Sequence, residues 1–344
     1  MDEISQVYHQ KLTSRRVIMT ISLLIVGLIL LVFGIGLSIS LGAKDISFST
    51  VMNSIFTGKH ALDSQIVRDV RLPRAVAAAL VGAFLAVSGA VMQGMTRNPI
   101  AEPSVLGITQ GATLTISIAF AMQAKIGGAG LMFIAFIGAS LSGLLVYFLS
   151  SRSKNGVDPA KLALAGTALG TLFISVAVAI AMYHNLSQQL SFWIVGGLTT
   201  AKWEGVQLLF FAGIWGVIAA IILSPSITIL SLGEEVAIGL GKKTNTVRIM
   251  GIIIVILLSG SSVAVAGNIA FVGLIVPQIV RSLVGPDYRL IIPCSFVLGA
   301  TLLVFSDIIA RMINQPYETP VGSITALLGV PFFLYLVRKG ARVL

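Results

Sequence analysis

Nine stretches of this chain contain no Asp, Glu, Lys or Arg, and they limit its fold more than any other feature. They cover residues 17–43, 75–96, 103–124, 126–151, 162–183, 205–233, 249–280, 290–306 and 319–337. A helix that crosses a hydrocarbon core of about 30 Å needs roughly 20 apolar residues. The stretch 249–280 is too long for one such helix. At about 1.5 Å per residue it would reach about 48 Å. Ala266-Gly267-Asn268 is the natural break, so this stretch holds two segments and the expected number of spans is ten.

A water-soluble fold does not accommodate this pattern. Charged residues are 10% of the chain and the mean hydropathy is +0.98, whereas soluble domains carry about 25% charge. A bilayer makes lipid the solvent of the outer face and removes the need for a polar surface. The chain therefore reads as all-α, one membrane domain over residues 1–344, embedded from about 17 to 338. Residues 1–16 are polar, and the uncharged stretch after them exceeds a signal-peptide core of about 7–15 residues, so it reads as a retained first span.

The net charge of +10 reads as a topology signal rather than as affinity for nucleic acid, because the basic residues lie in short connections. With the N-terminus inside, 15 of the 23 Lys and Arg residues fall on the inner side and eight on the outer. Both termini are then cytoplasmic. Cys294 is the single cysteine, which excludes an intrachain disulfide and leaves a packing role.

Three connections exceed tight turns. Residues 44–74 and 184–204 are outside, and the second contains Gln188-Gln189-Leu190-Ser191-Phe192-Trp193, expected as an interfacial helix with an aromatic anchor. Residues 224–248 are inside and contain Gly233-Glu234-Glu235-Val236-Ala237-Ile238-Gly239-Leu240-Gly241. That connection suits a short amphipathic helix lying against a partner. The following Gly239-Leu240-Gly241-Lys242-Lys243-Thr244 is not a phosphate loop: position 236 is Val, and Lys243 stands where Ser or Thr must follow the lysine. Metalloprotease, paired-cysteine and serine-hydrolase signatures are likewise missing, so the chain is not expected to be an enzyme.

Charges beside the spans carry the remaining information, because each is costly in lipid. Asp307 and Arg311 share a helix face at a four-residue spacing. They form either a local pair or a pair whose arginine faces an outer vestibule. Arg71-Leu72-Pro73-Arg74 puts two arginines outside against the topology bias, as an acidic partner or anionic solute would require. The proline-rich turn from Gln93 to Pro103 is a helix stop and restart, or a gate or docking surface. Ala163, Ala165, Gly166, Thr167, Ala168, Gly170 and Thr171 in the fifth span permit close helix contact or line a wide path.

These motifs resemble, in order, the permease subunits of ABC importers for ferric siderophores, haem and cobalamin. The likeness is carried by Arg71-Leu72-Pro73-Arg74, Ser88-Gly89-Ala90-Val91-Met92-Gln93, Asn98-Pro99-Ile100-Ala101-Glu102-Pro103 and Leu106-Gly107. It continues through Gly233-Glu234, Ala266-Gly267-Asn268 to Val276-Pro277, Ala310-Arg311, Glu318-Thr319-Pro320 and Gly329-Val330-Pro331. The resemblance implies a ten-helix bundle like that of cobalamin-importer permeases in the bacterial cytoplasmic membrane, with no cofactor. It implies a second permease chain, identical or related, two cytoplasmic ATP-binding subunits and an extracytoplasmic solute-binding protein. By motif, Arg71, Arg74 and Arg311 would meet acidic residues of the binding protein. Gly233, Glu234, Glu235, Ile238, Leu240 and Gly241 would couple to the ATPase. Asn98, Ile100, Pro159 and Ala160 would form the inner gate. The chain departs from the pattern at Asp158-Pro159-Ala160, where relatives have small hydroxyl residues, and at Gln278, where many have His. Tyr317-Glu318-Thr319-Pro320 resembles siderophore permeases more than cobalamin permeases. The expected cargo is therefore a ferric siderophore, with haem or cobalamin as the alternative. An ion-coupled secondary transporter would need embedded acids, and only Asp307 lies well within a span.

Overall fold

The computed structural model describes residues 2–42, 62–123, 126–151, 159–315 and 317–340, and every regular element among them is helical. The first helix, α1, runs Asp2–Ser40 without a break. A short turn, Leu62–Gln65, and a π-helical turn, Ile66–Arg71, lead directly into α2, Leu72–Thr96. Then come α3 (Ile108–Ala121), α4 (Gly128–Ser151), α5 (Pro159–Tyr183) and α6 (Ser187–Val195). The second half holds α7 (Trp203–Ser231), α8 (Glu234–Gly239), α9 (Thr244–Ala266), α10 (Val272–Val284), α11 (Tyr288–Met312) and α12 (Val321–Gly340). Most of the expected outer connection 44–74 lies outside the described residues.

Among the described residues, eight helices are long and apolar enough to cross a membrane. The other two apolar helices, α3 and α10, have only 14 and 13 residues, or about 20 Å at 1.5 Å per residue. Each is preceded by unwound chain. The expected break after Ala266 is present: Gly267 and Phe271 both take positive φ, 66° and 69°. The expected span 103–124 is shorter than it reads, because Pro103–Leu106 forms a 3-10 turn and Gly107 adopts φ 66° before α3 starts.

Unwound backbone inside an apolar bundle must find its hydrogen bonds within the protein. The Gly197 N–H donates to Ala266 O at 2.8 Å, and the Phe271 N–H donates to the Glu102 carboxylate at 2.6 Å. Pro277 lacks the N–H that would have bonded Gly273 O. The Gln93 side-chain amide, from α2, supplies donors to Gly273 O and Leu274 O at 3.2 Å each.

The expected inner connection 224–248 is corrected by the same kind of repair. The α7 helix continues through Ser224-Pro225-Ser226 to Ser231, so the connection is only 232–243. Pro225 leaves Ile221 O without its usual donor, and the Ser224 hydroxyl bonds that oxygen at 2.7 Å. Proline followed by polar residues reads as a turn, but here the preceding serine restores the helix.

The centre of the bundle is α2 packed on α9, α10 and α11. Small residues let the backbones approach. A side chain on Gly82 would strike the Gly299 carbonyl, and one on Gly89 would strike the backbone of Gly273. The obstacle at Gly89 is main chain of α10 next to its proline, which has no freedom to move aside. Gly89→Ala should therefore lower the thermal stability of the purified protein by about 1–3 kcal/mol, whereas Gly36→Ala, in open space, should leave it unchanged.

Candidate functional site

Function-bearing residues gather at three levels of the bundle. At the end that holds the start of α2, the three predicted arginines come together and all are buried, at 7% exposure for Arg71, 6% for Arg74 and 9% for Arg311. Their acceptors lie within the chain. Arg71 donates from Nη1 to Ile39 O and Ser40 O at 2.7 and 2.9 Å, serving the carbonyls at the C-terminus of α1. Arg74 Nε donates to the Asp307 carboxylate at 3.1 and 3.2 Å, and Nη2 to the same group at 2.9 Å. Arg74 Nη1 donates to both oxygens of Glu318 at 2.9 Å. Arg311 pairs with Asp307 at 3.2 Å, as their spacing predicts, and also donates to Ser38 O and Oγ at 3.1 and 2.6 Å. Asp307 is fully buried between the two guanidinium groups.

Glu318, in the connection from α11 to α12, also accepts the Thr199 hydroxyl at 3.0 Å. Burial pushes its carboxyl upward, but the hydrogen bonds and charge of Arg74, helped by Thr199 and Arg311, hold it below the ordinary carboxylate range. An open cavity of about 360 Å³ lies here, lined by Arg74, Gly196, Thr199, Asp307, Glu318 and Thr319.

The middle level is a second cavity of about 320 Å³ between α3 and α5. Ser104, Thr109, Gln110, Thr113, Thr167, Thr171 and Asn268 give it a polar lining without charge. Gln110 Oε1 is buried there without a donor. The small residues of α5 make one close contact and leave a line of hydroxyls exposed. Gly166 sits directly against the Val105 backbone, while Thr167, Thr171 and Ser175 form an exposed line. Their hydroxyls donate one turn back, to Ala163 O, Thr167 O and Thr171 O, at 3.0, 2.8 and 2.8 Å. This leaves oxygen lone pairs facing outward.

At the opposite end, Asn98 Oδ1 accepts the Ile100 N–H at 3.0 Å, a side-chain turn after Arg97, whose φ is 52°. Asn98 and Ile100 are exposed, as is Ala160 in the first turn of α5; the side chain of Pro159 lies outside the described residues. Gln278, the departure noted above, donates to Pro99 O at 3.0 Å and to Gln93 Oε1 at 2.8 Å. It thus ties the exposed turn to the broken helix α10.

The predicted coupling segment is the short helix α8 at this end. Gly233 caps it with φ 138°, and Gly241, φ 73°, lets the Lys242 N–H close onto Ala237 O at 2.9 Å. Ala237 faces inward, while Glu235, Val236, Ile238 and Leu240 are exposed, an apolar surface with an acidic edge. Glu234 faces back into the bundle. Its carboxylate accepts Arg248 Nη1 and Nη2 at 3.0 and 2.9 Å and the Thr244 hydroxyl at 3.1 Å. The hydrogen bond from Arg248 outweighs burial and holds the Glu234 carboxyl below its usual range.

Sequence reading picked out the arginines and α8 but missed Gln93, Glu102 and Glu318 as partners. A weak signal existed for Gln93 alone, a lone amide in an apolar stretch. The small residues of α5 marked one wall of the middle cavity, through Gly166, Thr167, Gly170 and Thr171, and no signal marked Ser104, Gln110 or Asn268 opposite them.

With this geometry in place, the comparisons are direct. A profile of the FecCD transport family matches residues 15–339, and the chain belongs to that family. It is 53% identical over 320 residues to the iron(3+)-hydroxamate import system permease protein FhuB of Bacillus subtilis, covering 93% of this chain and 83% of that one. It is 40% identical over 333 residues to the Fe(3+)-citrate import system permease protein YfmD of the same organism, covering 97% and 98%. The hemin transport system permease protein HmuU of Yersinia pestis is 34% identical over 318 residues, covering 91% and 93%. Among solved structures, an inward-facing metal-chelate type ABC transporter superposes with a TM-score of 0.81 at 30% identity, covering 92% of this chain and 99% of that one.

Asp307→Asn removes the buried charge that Arg74 and Arg311 share and should destabilise the protein by about 3–5 kcal/mol, read as a fall in melting temperature. Glu234→Ala strands Arg248, which is 5% exposed, and should cost about 1–3 kcal/mol. Arg248→Met leaves Glu234 able to reach water and should cost less. Because the Glu234 carboxyl is held below its ordinary value of about 4.3, its contribution is complete above that pH and is lost on acidification through the lower, folded-state value. The gap between wild type and Glu234→Gln should be flat from about pH 6 to 8 and shrink towards pH 4.

Proposed function

We propose that this chain is the membrane-spanning permease subunit of an ABC importer that brings a ferric siderophore, of the hydroxamate type, into a bacterial cytoplasm. The observation that carries the reading is the 53% identity to an iron(3+)-hydroxamate permease along 93% of the chain. The cavity chemistry supports it. Bare Fe(3+) is a hard cation that calls for carboxylate ligands, and the polar groups of the cavity beside α5 are amides and hydroxyls, set among Ile174, Ile194 and glycines, with no carboxylate. Such a lining suits iron already wrapped in a chelator. The haem reading has support from the hemin permease, at the lower identity of 34%.

In this reading ten helices cross the membrane. The short helices α3 and α10 complete their crossings through the unwound segments, and both termini are cytoplasmic. A second permease chain, identical or related, faces the exposed side of α5, so that Thr167, Thr171 and Ser175 line a shared path. Two ATP-binding subunits seat on the apolar face of α8, with Ile238 and Leu240 as anchors. Glu234, held by Arg248, conveys their movement to α9, which ends at the broken segment beside the cavity. Asn98 and Ile100, together with Pro159 and Ala160, close the inner end, with Gln278 tying that turn to α10. An extracytoplasmic binding protein delivers the cargo at the arginine end, where Arg74 lines an open cavity and Arg71 and Arg311 brace the helices around it.

The reading predicts that the tagged chain, purified from its own cells after mild cross-linking, brings down an ATP-binding subunit and a solute-binding protein. Cells lacking the chain should lose uptake of radioactive iron supplied as a ferric hydroxamate and keep uptake of haem. Loss of haem uptake with hydroxamate uptake intact would overturn the assigned cargo. Thr167→Leu combined with Thr171→Leu should lower transport at least tenfold while leaving the assembled complex in the membrane.

A further inference from the structure

Two carboxylates serve the buried arginines at this end, and their places are not equivalent. Arg71 is held by the carbonyls at the end of α1, while Arg74 and Arg311 share the first carboxylate. Asp307, fully buried, bonds both and can leave neither. The second negative charge is Glu318, which differs in every respect. Its side chain is 39% exposed, it sits in a connection rather than a helix, and among the described residues it bonds Nη1 of Arg74 and the Thr199 hydroxyl. If Glu318 swings into solvent, Arg74 keeps its bonds to Asp307 and presents a free Nη1 edge to the open cavity of about 360 Å³. Around that edge stand Thr199, Thr200 and Thr319, with Gly196 and Gly197 on the rim leaving space for an incoming group. A guanidinium N–H forms strong, charge-assisted bonds to a carboxylate, and both Glu318 oxygens already accept from Arg74 Nη1.

We propose that Glu318 is an internal stand-in for a carboxylate of the docking solute-binding protein, which displaces it from Arg74 Nη1 and Thr199. This inference rests on the docking reading above and adds a competitor within the chain. Exchange of one carboxylate for another keeps two carboxylates on Arg74 before and after docking, so this buried guanidinium is not left with an unpaired edge. It also makes binding reversible, because Glu318 returns when the partner leaves.

Competition has a signature that a structural role lacks: removing the competitor strengthens binding. The transporter, assembled with its ATP-binding subunits in lipid nanodiscs, is titrated with the solute-binding protein recovered in the purification above. Glu318→Gln, which keeps size and loses charge, should tighten binding about tenfold, equivalent to about 1.4 kcal/mol. Thr199→Val, which removes one restraint on Glu318, should tighten it by a smaller factor. Unchanged or weaker binding in both variants overturns the stand-in role. Arg74→Gln separates the two layers. If it binds like wild type, the docking reading falls. If it loses binding while Glu318→Gln gains nothing, only the exchange falls. Ferric citrate without the binding protein is the third arm. A Glu318→Gln variant that gains affinity for this anionic chelate, and none for the protein, overturns the assignment of a protein carboxylate.

Discussion

In an apolar bundle a backbone carbonyl without a donor is one of the costliest defects available, and the Gln93 amide supplies Gly273 O with the donor that Pro277 lacks, bonding Leu274 O as well. That contact spans α2 and α10, and the architecture around it follows. Because Gly273 O is satisfied from the side, Pro277 can sit inside α10 and the helix can be short. Because α10 is short, the chain before it is unwound, and Asn268 reaches the polar cavity beside α5. The same amide accepts from Gln278, which holds the exposed Asn98 turn. Gln93 and Gln278 together thus join α2, α10 and the exposed turn.

Charges in the bundle obey the same rule on a larger scale. None of the buried arginines described here is left to the interior alone. Arg71 serves the end of α1, Arg74 and Arg311 share Asp307, and Arg248 holds Glu234. These ties connect helices that are far apart in sequence: the Arg74 to Asp307 bond spans 233 residues. Each tie also stands where a segment leaves the bundle. The molecule is therefore most strongly cross-braced at its two ends, and its middle is polar without charge.

The division between legible and hidden features follows from the range of each interaction. Where α9 breaks was legible, since a 32-residue uncharged stretch exceeds any bilayer and glycine stands at its centre. The α8 helix was legible from glycines bracketing an acidic start. The end of α7 was not, because proline normally terminates a helix and the Ser224 repair depends on one rotamer. The span before Ala121 was overestimated, because an uncharged stretch reports what lipid or protein can bury and not whether the chain is wound.

By itself, the sequence determined that this chain is a bundle of membrane helices, where most of them begin, and which segments carry charge at each end. Those properties depend on hydropathy and on local backbone preferences, which act within about one helical turn to one span. Only the tertiary structure decided what the charges do. The arginines that read as outward-facing docking groups are turned inward onto Asp307, Glu318 and the end of α1. The Glu234 carboxylate that opens a surface helix reaches back to Arg248. A guanidinium at a lipid-facing boundary takes the nearest acceptor, and which acceptor is nearest depends on helix neighbours that no local pattern specifies.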